Sequence, residues 1–321
     1  MDLRAIIHEV GRGAHGARDL AEEDAYRLYC AMLDGEVPEL ELGALLIAYR
    51  IKGESVDELK GFCRALAGHI APLRVSGTTL PVILPSYNGA RRQPNLMPLL
   101  ALLLARCGVP VLIHGVSEDF GRVTSAAILE RLGIPPCASA DEVQRRLEKE
   151  SIAYAPIGVI APGLSRLLAA RARLGVRGPA HTVAKLLDPF GGRSVRVVSV
   201  THPDYLKRMR EYLLAIGASA LLLRGAEGEP YANPKRQPQI EWLHDGCCEP
   251  MLAQEPVPES RLPESIDAAT TAAWTNEALA GRCAPPVPIL RQAACCAYAA
   301  GAADSLDMAL KLVERFILFQ A

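Results

Sequence analysis

The stretch LPVILPSYNGARRQPNLMPLLALLLARCGVPVLIHG, residues 80–115, decides the fold. It opens with a short apolar run, LPVILP (80–85), and closes near another, VPVLI (109–113). Residues 96–107 between them are apolar over a length that suits a helix. Two strands joined by a helix form a βαβ unit with parallel strands. The stretch therefore predicts an α/β domain with a mostly parallel sheet.

The same alternation continues further along the chain. VRVVSV (195–200) and SALLL (219–223) are strand candidates, and residues 203–216 between them suit a helix. In such sheets, ligands bind at the loops beyond the carboxyl ends of the strands. We therefore expect the chemistry of this protein in loops 86–95, 114–122, 201–203 and 224–238.

The first 70 or so residues predict helices instead. Asp19 and Glu22 form a candidate capping box before one amphipathic helix, and Ser55 and Glu58 form another. Pro38 opens the helix that lies between these two. These signals predict a small helical domain ahead of the α/β domain.

The last third of the chain is less regular. Residues 225–262 are rich in Pro, Gly and Glu, which predicts a long surface loop region. Residues 265–321 predict helices, to which the sequence assigns no role.

Composition narrows the class of protein. The chain has 321 residues and a formal net charge of −1, so composition alone does not predict a nucleic-acid binder. The N-terminus lacks the apolar segment of a signal peptide, and the run Leu96–Ala105 is too short to cross a bilayer. The cysteines include the vicinal pairs Cys247–Cys248 and Cys295–Cys296, with no C-x-x-C spacing. We expect inert, buried thiols in a cytoplasmic protein without membrane contact.

Charge is unevenly distributed along the sequence. Residues 160–236 carry 13 Lys and Arg against 5 Asp and Glu, whereas residues 237–321 carry 5 basic and 11 acidic residues. A nearly neutral chain with this bias can present a basic face. The alternative is a solvated surface with scattered counter-charges.

Several segments together resemble the anthranilate phosphoribosyltransferase (TrpD) family. The similar segments are residues 20–59, CGVPVLIHG (107–115), SAAILERLGI (125–134), 155–175 and THPDYLKRM (201–209). The resemblance covers roughly residues 1–240. It implies the two-domain fold of the TrpD and nucleoside phosphorylase type, with a helical domain over residues 1–73, to which about 164–186 return, and an α/β domain over 74–321. It also implies a homodimer formed through the helices.

The family's phosphate loop is altered in this chain. The family reads Gly-Thr-Gly-Gly-Asp there, and its glycines let backbone N–H groups approach the pyrophosphate of phosphoribosyl pyrophosphate. The matching positions here are Pro85, Ser86, Tyr87, Asn88 and Gly89. We expect that a proline and a tyrosine cannot offer the same amide cradle.

The next family motif, Asn-x-Ser-Thr, keeps only its asparagine. Asn95 remains, but Met97 and Pro98 replace the serine and threonine. The His-Gly loop keeps a basic residue near its end, as Arg122. The arginine that meets the anthranilate carboxylate in the family falls on Arg171, for which an ordinary helix-surface role is the alternative.

The family's acidic pair, which holds magnesium, is also displaced. The phrase here is RGAEGEPY (224–231), and the two metal positions fall on Pro230 and Tyr231. Neither side chain can ligate Mg²⁺ as a carboxylate does. Glu227 and Glu229 lie close by and leave a shifted metal pair open.

These replacements favour binding of a polyanion. The phrases SYNGARRQPNLMPLLALLL and RGAEGEPYANPKRQPQ resemble the YbiB-type branch of TrpD-like proteins. That branch implies non-sequence-specific binding of DNA or RNA by a dimer with a basic groove. Lys and Arg neutralise phosphates without reading sequence. Tyr87 and Tyr231 would stack on bases, with ordinary loop packing as the alternative.

The candidate site residues follow from this hypothesis, with no cofactor and no metal expected. The nucleic-acid-binding candidates are Arg91, Arg92, Arg224, Lys235 and Arg236, followed by Lys207 and Arg208. A residual ligand pocket would contain Asn95, His114, Gly115, Arg122 and Arg171.

Two other functions remain open from the sequence. One is a glycosyl or phosphoribosyl transferase with an altered substrate, in which His114, His181 and Arg171 line the site. The other is a pseudoenzyme that acts only as a protein-interaction dimer.

Overall fold

A computed structural model describes residues 1–119 and 121–318 of the chain. The chain divides into two compact units, one of Met1–Pro72 with Ile157–Pro189 and the other of Leu73–Pro156 with Phe190–Ala321. Phe120, in a predicted ligand loop, and residues 319–321, in the predicted C-terminal helical region, lie outside the described residues.

Helices make up the first unit, and the second unit combines helices with the strands of a sheet. The helices are α1 (Leu3–Val10), α2 (Gly13–Gly16), α3 (Glu22–Asp34), α4 (Glu39–Lys52), α5 (Val56–Ala67), α6 (Met97–Arg106), α7 (Ser125–Arg131), α8 (Ala140–Glu150), α9 (Ile157–Ile160), α10 (Pro162–Ala169), α11 (Arg171–Leu174), α12 (Pro179–Ala184), α13 (Pro203–Ala215), α14 (Ala268–Leu279), α15 (Val287–Ala299) and α16 (Leu306–Leu318). The strands are β1 (Val82–Ser86), β2 (Val111–Gly115), β3 (Ile152–Pro156), β4 (Val195–Val200), β5 (Ala220–Arg224), β6 (Arg236–Gln237), β7 (Ile240–His244), β8 (Cys247–Leu252) and β9 (Glu255–Pro256).

The helical unit has a core between α3, α4 and α5. Gly61 of α5 lies so close to the backbone of α3 that a Cβ there would overlap with the carbonyl of Glu22. This approach brings Phe62 onto Tyr29, with ring centroids 4.6 Å apart, and edge-on to Tyr49 at 5.3 Å. All three rings are buried, so the aromatic cluster stabilises the bundle.

Of the three predicted helix starts, the structure confirms two and contradicts one. The capping box of Ser55 and Glu58 is confirmed, and Pro38 directly precedes α4 as predicted. The capping box of Asp19 and Glu22 is wrong, because α3 has no side-chain cap. The carboxylate of Asp19 instead lies 2.5 Å from the Nζ of Lys52, so a tertiary ion pair replaces the local cap.

The α/β unit is built on a seven-stranded sheet in the order β3-β2-β1-β4-β5-β7-β8. Strands β1 to β5 are parallel, as the sequence predicts, and the burial of all five residues in both β1 and β2 explains their continuous apolar runs. The chain reverses its direction of travel across the sheet between β1 and β4. Loops diverge at such a point and leave room for a ligand at the carboxyl ends of the strands.

The predicted long loop over residues 225–262 is wrong. Strands β7 and β8 lie inside it, and they extend the sheet as an antiparallel hairpin next to β5. Asp245 and Gly246 form the turn, with positive φ angles of 49° and 75°. An Asp-Gly pair is a strong hairpin signal, but the surrounding Pro and Glu residues obscured it.

The C-terminal helices complete the core of the α/β unit. Residues of α14, α15 and α16 pack with α6 in one buried cluster, which gives the C-terminal segment a structural role. Cys295 and Cys296 are buried in that cluster as expected, whereas Cys247 and Cys248 are exposed on β8, contrary to the expectation of buried thiols. No helix among residues 1–119 and 121–318 is both long and apolar enough to cross a membrane.

Candidate functional site

The loop after β1 and the loop after β5 meet through the buried carboxylate of Glu229. One oxygen of Glu229 accepts hydrogen bonds from the backbone N–H groups of Asn88 at 2.7 Å and Gly89 at 2.9 Å. The other oxygen accepts from the hydroxyls of Ser86 at 2.5 Å and Ser125 at 3.2 Å. Glu229 has no exposed surface. These four donors replace the water that an ionised carboxylate requires.

Glu227 makes a second set of contacts of the same kind. Its Oε1 accepts from the backbone N–H groups of Arg92 at 2.9 Å, Gln93 at 3.2 Å and Arg91 at 3.3 Å. The guanidinium of Arg122 lies 3.7 Å from its other oxygen. Three consecutive N–H groups aimed at one carboxylate form a backbone nest, an arrangement that binds anions.

We call these donors the cradle: the N–H groups of residues 88, 89 and 91–93 with the hydroxyls of Ser86 and Ser125. Pro85 and Tyr87 are not among these donors, whereas Asn88 and Gly89 supply amides and Gly89 adopts the positive φ of 60° that the turn needs. The carboxylates of Glu227 and Glu229 occupy the cradle.

The same contacts argue against a shifted magnesium pair at Glu227 and Glu229. Their oxygens face N–H and O–H donors, which suit an anion, whereas Mg²⁺ requires a shell of oxygen acceptors. Within the described part of the chain, no group of three or more His, Cys, Asp or Glu side chains is placed to hold a metal ion.

Close backbone packing fixes the second loop against the first. Gly228, at a positive φ of 87°, leaves no space for a Cβ because the amide of Asn88 occupies it. That amide donates to the carbonyl of Gly228 at 2.6 Å, and the hydroxyl of Ser199 donates to the same carbonyl at 3.1 Å. The loop after β5 is thereby held over the ends of β1 and β4.

Beside these loops lies an open pocket of about 140 Å³ that contains three arginines. Arg224 and Arg236 reach it from the two ends of the loop after β5, and Arg210 reaches it from α13. Arg210 is paired with Glu241 through two hydrogen bonds of 2.9 and 2.8 Å. Arg224 donates to the carbonyl of Thr201 at 3.3 Å. The structure thus brings two predicted phosphate-binding residues together.

Most of the predicted basic residues present exposed cations. Arg91, Arg92, Arg224, Lys235, Arg236 and Lys207 are exposed, and Arg208 is half-buried. Among the described residues, no carboxylate pairs with the side chains of Arg91, Arg92, Lys235 and Arg236. Lys207 lies 3.9 Å from Glu211, and Arg208 lies over the ring of Tyr205 at 5.3 Å. The first five residues therefore offer more available charge than the second tier.

Comparison with known proteins places this geometry in a family. A sequence profile described as "Glycosyl transferase family, helical bundle domain" matches residues 4–70. The protein YbiB of Escherichia coli strain K12 is 45% identical over 98% of this chain and 99% of its own length. The chain belongs to the TrpD-like family, as a homologue of YbiB.

The transferases of the family are more distant. Anthranilate phosphoribosyltransferase of Thermus thermophilus is 32% identical over 69% of this chain and 64% of its own length. A crystal structure of a Thermus thermophilus anthranilate phosphoribosyltransferase has a TM-score of 0.80 and 26% identity, and the match covers 99% of this chain and 94% of that one. The predicted fold class is confirmed by these matches, together with the parallel sheet.

The TrpD-family pocket residues are used internally in this chain. Asn95 is fully buried and donates to the hydroxyl of Ser125 at 3.0 Å. Gly115 lies in β2, so close to Ser86 that a Cβ would overlap with its carbonyl. Arg122 donates to the carbonyl of Gly89 at 3.1 Å. These three positions hold loops together in the α/β unit.

Arg171 lies in α11 and belongs to the helical unit, whereas the three residues above belong to the α/β unit. It lines a cavity of only about 10 Å³ beside His181. That volume is at the lower limit for a single water molecule, so the cavity as it stands is too small for a substrate.

Neither tyrosine of the basic loops can stack on a base in this structure. Tyr87 and Tyr231 are 2% and 0% exposed. The hydroxyl of Tyr87 contacts Nδ1 of His114 at 2.6 Å, and that of Tyr231 donates to the carbonyl of Pro94 at 3.1 Å. Loop packing, the alternative interpretation, describes both side chains.

Burial of His114 should make the stability of the folded protein sensitive to acid. Burial lowers the pKa of His114 to about 3, so the folded protein keeps the ring neutral while the unfolded chain protonates it near pH 6.5. Stability is therefore lost as the pH falls below 6.5, and the loss from this ring reaches about 2 kcal/mol at pH 5. We expect His114→Gln to lose that much less stability than the wild type between pH 7.5 and 5. Denaturant unfolding at both pH values measures it, and equal losses in the two proteins would contradict it.

Sequence reasoning missed the roles of Arg210, Glu241 and Glu229. Arg210 lies one helical turn beyond Lys207 and close to Leu206, which also lines the pocket, so the helix periodicity of α13 could have indicated it. Nothing local indicated that Glu229 would reach a loop 141 residues earlier in the chain.

Proposed function

We propose that this protein binds nucleic acid without sequence preference, through the phosphate backbone. The observation that carries the proposal is the pocket in which Arg224 and Arg236 converge. We define the basic surface as the side chains of Arg91, Arg92, Arg224, Lys235 and Arg236. All five belong to the α/β unit and are exposed.

The chemistry of these side chains suits phosphate contacts. Guanidinium groups form paired hydrogen bonds with phosphate oxygens, and each neutralised phosphate releases counterions. Tyr87 and Tyr231 are buried and offer no platform for stacking, which favours contacts with the backbone over stacking with bases. Contacts of this kind position a nucleic acid without reading its sequence.

The filled cradle supports loss of the transferase ligand site as part of the same proposal. Five N–H groups that could receive a pyrophosphate already receive Glu227 and Glu229. A bound pyrophosphate would have to displace two carboxylates of its own charge sign. A transferase with an altered substrate remains the second candidate function on the family relationship alone.

A homodimer through the helical unit belongs to the proposal as well. Leu40, Ile47 and Ile51 lie on one face of α4 and are 82%, 37% and 56% exposed. Apolar side chains at this spacing form a stripe that a second copy could cover. Light scattering of the free protein measures its mass in solution. We place the protein in the cytoplasm, where it would meet nucleic acid.

A polarisation titration with a random oligonucleotide at about 50 and 200 mM salt tests the function. Five phosphate contacts predict a salt slope of about −4.5, which weakens binding roughly 500-fold across this range. An oligonucleotide of equal length and different sequence should bind with the same affinity. Absence of binding at low salt would contradict the proposal, and binding of phosphoribosyl pyrophosphate with Mg²⁺ would then favour the transferase.

A further inference from the structure

The loop that carries most of the basic surface is joined to the rest of the α/β unit by two acidic side chains, in addition to hydrogen bonds with Asn88 and Gln292. We call residues 224–236 the basic loop, because it contains Arg224, Lys235 and Arg236. Its two glutamates, Glu227 and Glu229, both accept hydrogen bonds from the donors of the cradle. An acidic residue within a polyanion-binding loop normally opposes binding, so its placement here calls for a physical reason.

We propose that Glu229 and Glu227 act as a built-in anion, which fills the cradle and so fixes the basic loop where Arg224 and Arg236 share one pocket. This inference deepens the proposed function and rests on it. Glu229 is the main positioning residue, because four donors surround it and it is fully buried. Glu227 supports it through the three amides of residues 91–93.

The backbone of the loop is consistent with this attachment. Glu227 has a positive φ of 53°, which few residues other than glycine adopt, and Gly228 follows at 87°. Two successive residues in this conformation turn the chain sharply, so that both glutamate side chains reach the cradle. Such a conformation persists where surrounding contacts determine it. The hydrogen bonds that Glu227 and Glu229 accept in the cradle are contacts of this kind.

The attachment also connects the two parts of the basic surface. Arg91 and Arg92 donate their N–H groups to Glu227, so the segment that presents these guanidinium groups is held by the basic loop itself. Arg122 lies beside the same carboxylate. Loss of the two carboxylates would therefore loosen the segment that carries Arg91 and Arg92 as well as the basic loop.

Glu229→Ala should change oligonucleotide binding in opposite directions, depending on whether Glu229 acts only through its charge or positions the basic loop. If Glu229 acted only as a negative charge, removing it would tighten binding of an oligonucleotide. If Glu229 positions the basic loop, removing it weakens binding about 10-fold and reduces the salt slope by about two, for the contacts of Arg224 and Arg236. Glu229→Gln removes the charge but keeps the shape and one acceptor oxygen. We expect its affinity to fall between that of the wild type and that of Glu229→Ala.

Matched variants separate position from charge and from general destabilisation. Asp204→Asn removes one exposed carboxylate from the first turn of α13, the helix that contributes Arg210 to the same pocket, and should bind at least as tightly as the wild type. Lys52→Met destabilises the helical unit and should leave the salt slope unchanged. Glu227→Ala gives a second, milder test if Glu229→Ala does not fold.

Two measurements on the free protein test the attachment without nucleic acid. Backbone amides of residues 224–236 should exchange hydrogen faster in Glu229→Ala than in the wild type. Sodium formate should raise the melting temperature of Glu229→Ala more than sodium chloride at equal ionic strength, because formate can refill the cradle. The wild type should not distinguish the two salts.

The outcomes are distinguishable. Faster exchange with unchanged salt slope would overturn the positioning role, and tighter binding by both Glu229 variants would overturn it in favour of charge alone. Unchanged exchange in Glu229→Ala would overturn the attachment itself. If the wild type fails to bind any oligonucleotide, the proposed function falls, while the exchange and formate results still decide whether the cradle holds the loop.

Discussion

A variant with the five cations of the basic surface changed to glutamine should bind a random oligonucleotide at least about 100-fold more weakly than the wild type at low salt. The substitutions are Arg91→Gln, Arg92→Gln, Arg224→Gln, Lys235→Gln and Arg236→Gln. Each removes one phosphate contact and the counterions that it would release, so the salt slope should fall from about −4.5 towards zero.

The folded structure should tolerate these changes. All five side chains are exposed, and within the described residues only that of Arg224 makes a hydrogen bond, to the backbone carbonyl of Thr201. Surface substitutions of this kind usually change stability by less than about 0.5 kcal/mol each. Unfolding in denaturant checks this, so that weaker binding can be assigned to lost contacts.

A control variant removes the same amount of charge from elsewhere on the α/β unit. It carries glutamine at five other exposed basic positions, Arg131, Arg145, Lys149, Arg261 and Lys311. Its salt slope should stay close to that of the wild type, because none of these five side chains lines the pocket that contains Arg224 and Arg236. Equal weakening of both variants would mean that net charge, and not the basic surface, determines binding.

Lys52→Met should destabilise the helical unit by about 3–5 kcal/mol, because it leaves a buried carboxylate without its cation. Glu58 has no exposed surface, and the Nζ of Lys52 lies 2.6 Å from its Oε2. The remaining donors to Glu58 are the hydroxyl of Tyr49 and the N–H groups of Leu20 and Ser55. Burial and the nearby Glu58 raise the pKa of Tyr49 well above its usual range, which keeps that hydroxyl a donor.

Lys60→Met is the matched control for Lys52→Met. Lys60 lies 3.2 Å from Asp57, whose side chain is 64% exposed, and such surface pairs contribute about 0–1 kcal/mol. Urea unfolding followed by far-UV circular dichroism measures both variants. A loss below about 1 kcal/mol in Lys52→Met would show that the neutral donors alone satisfy Glu58.

Local patterns predicted four of the five parallel strands, because these strands are buried and read as apolar runs, whereas β3 was not predicted. The strand 195–200 matches β4 at both ends, and the run at 109–113 overlaps β2. The Ser55–Glu58 cap was equally readable, since its contacts span three residues. The β7–β8 hairpin was not predicted, because β8 is exposed over its first four residues and carries Glu249 and Pro250 among few apolar residues.

The site was predictable in composition and not in arrangement. Arg224 and Arg236 could be identified as basic residues near strand ends, but their shared pocket depends on how the loop between them folds. His114 and Asn95 were expected to line a ligand pocket, and the structure buries both in contacts within the protein. Sequence spacing does not report whether a polar side chain faces a ligand or another residue of its own chain.

The sequence by itself determined the fold class, the family relationship and the excess of basic residues before position 236, because periodicity, motif and composition are properties of neighbouring residues. Only the tertiary structure decided that the loop after β1 forms an amide cradle and that two carboxylates of the same chain fill it. The two partners, Asn88 and Glu229, are 141 residues apart. Only folding of the sheet brings β1 and β5 close enough for a carboxylate on one loop to satisfy the amides of the other.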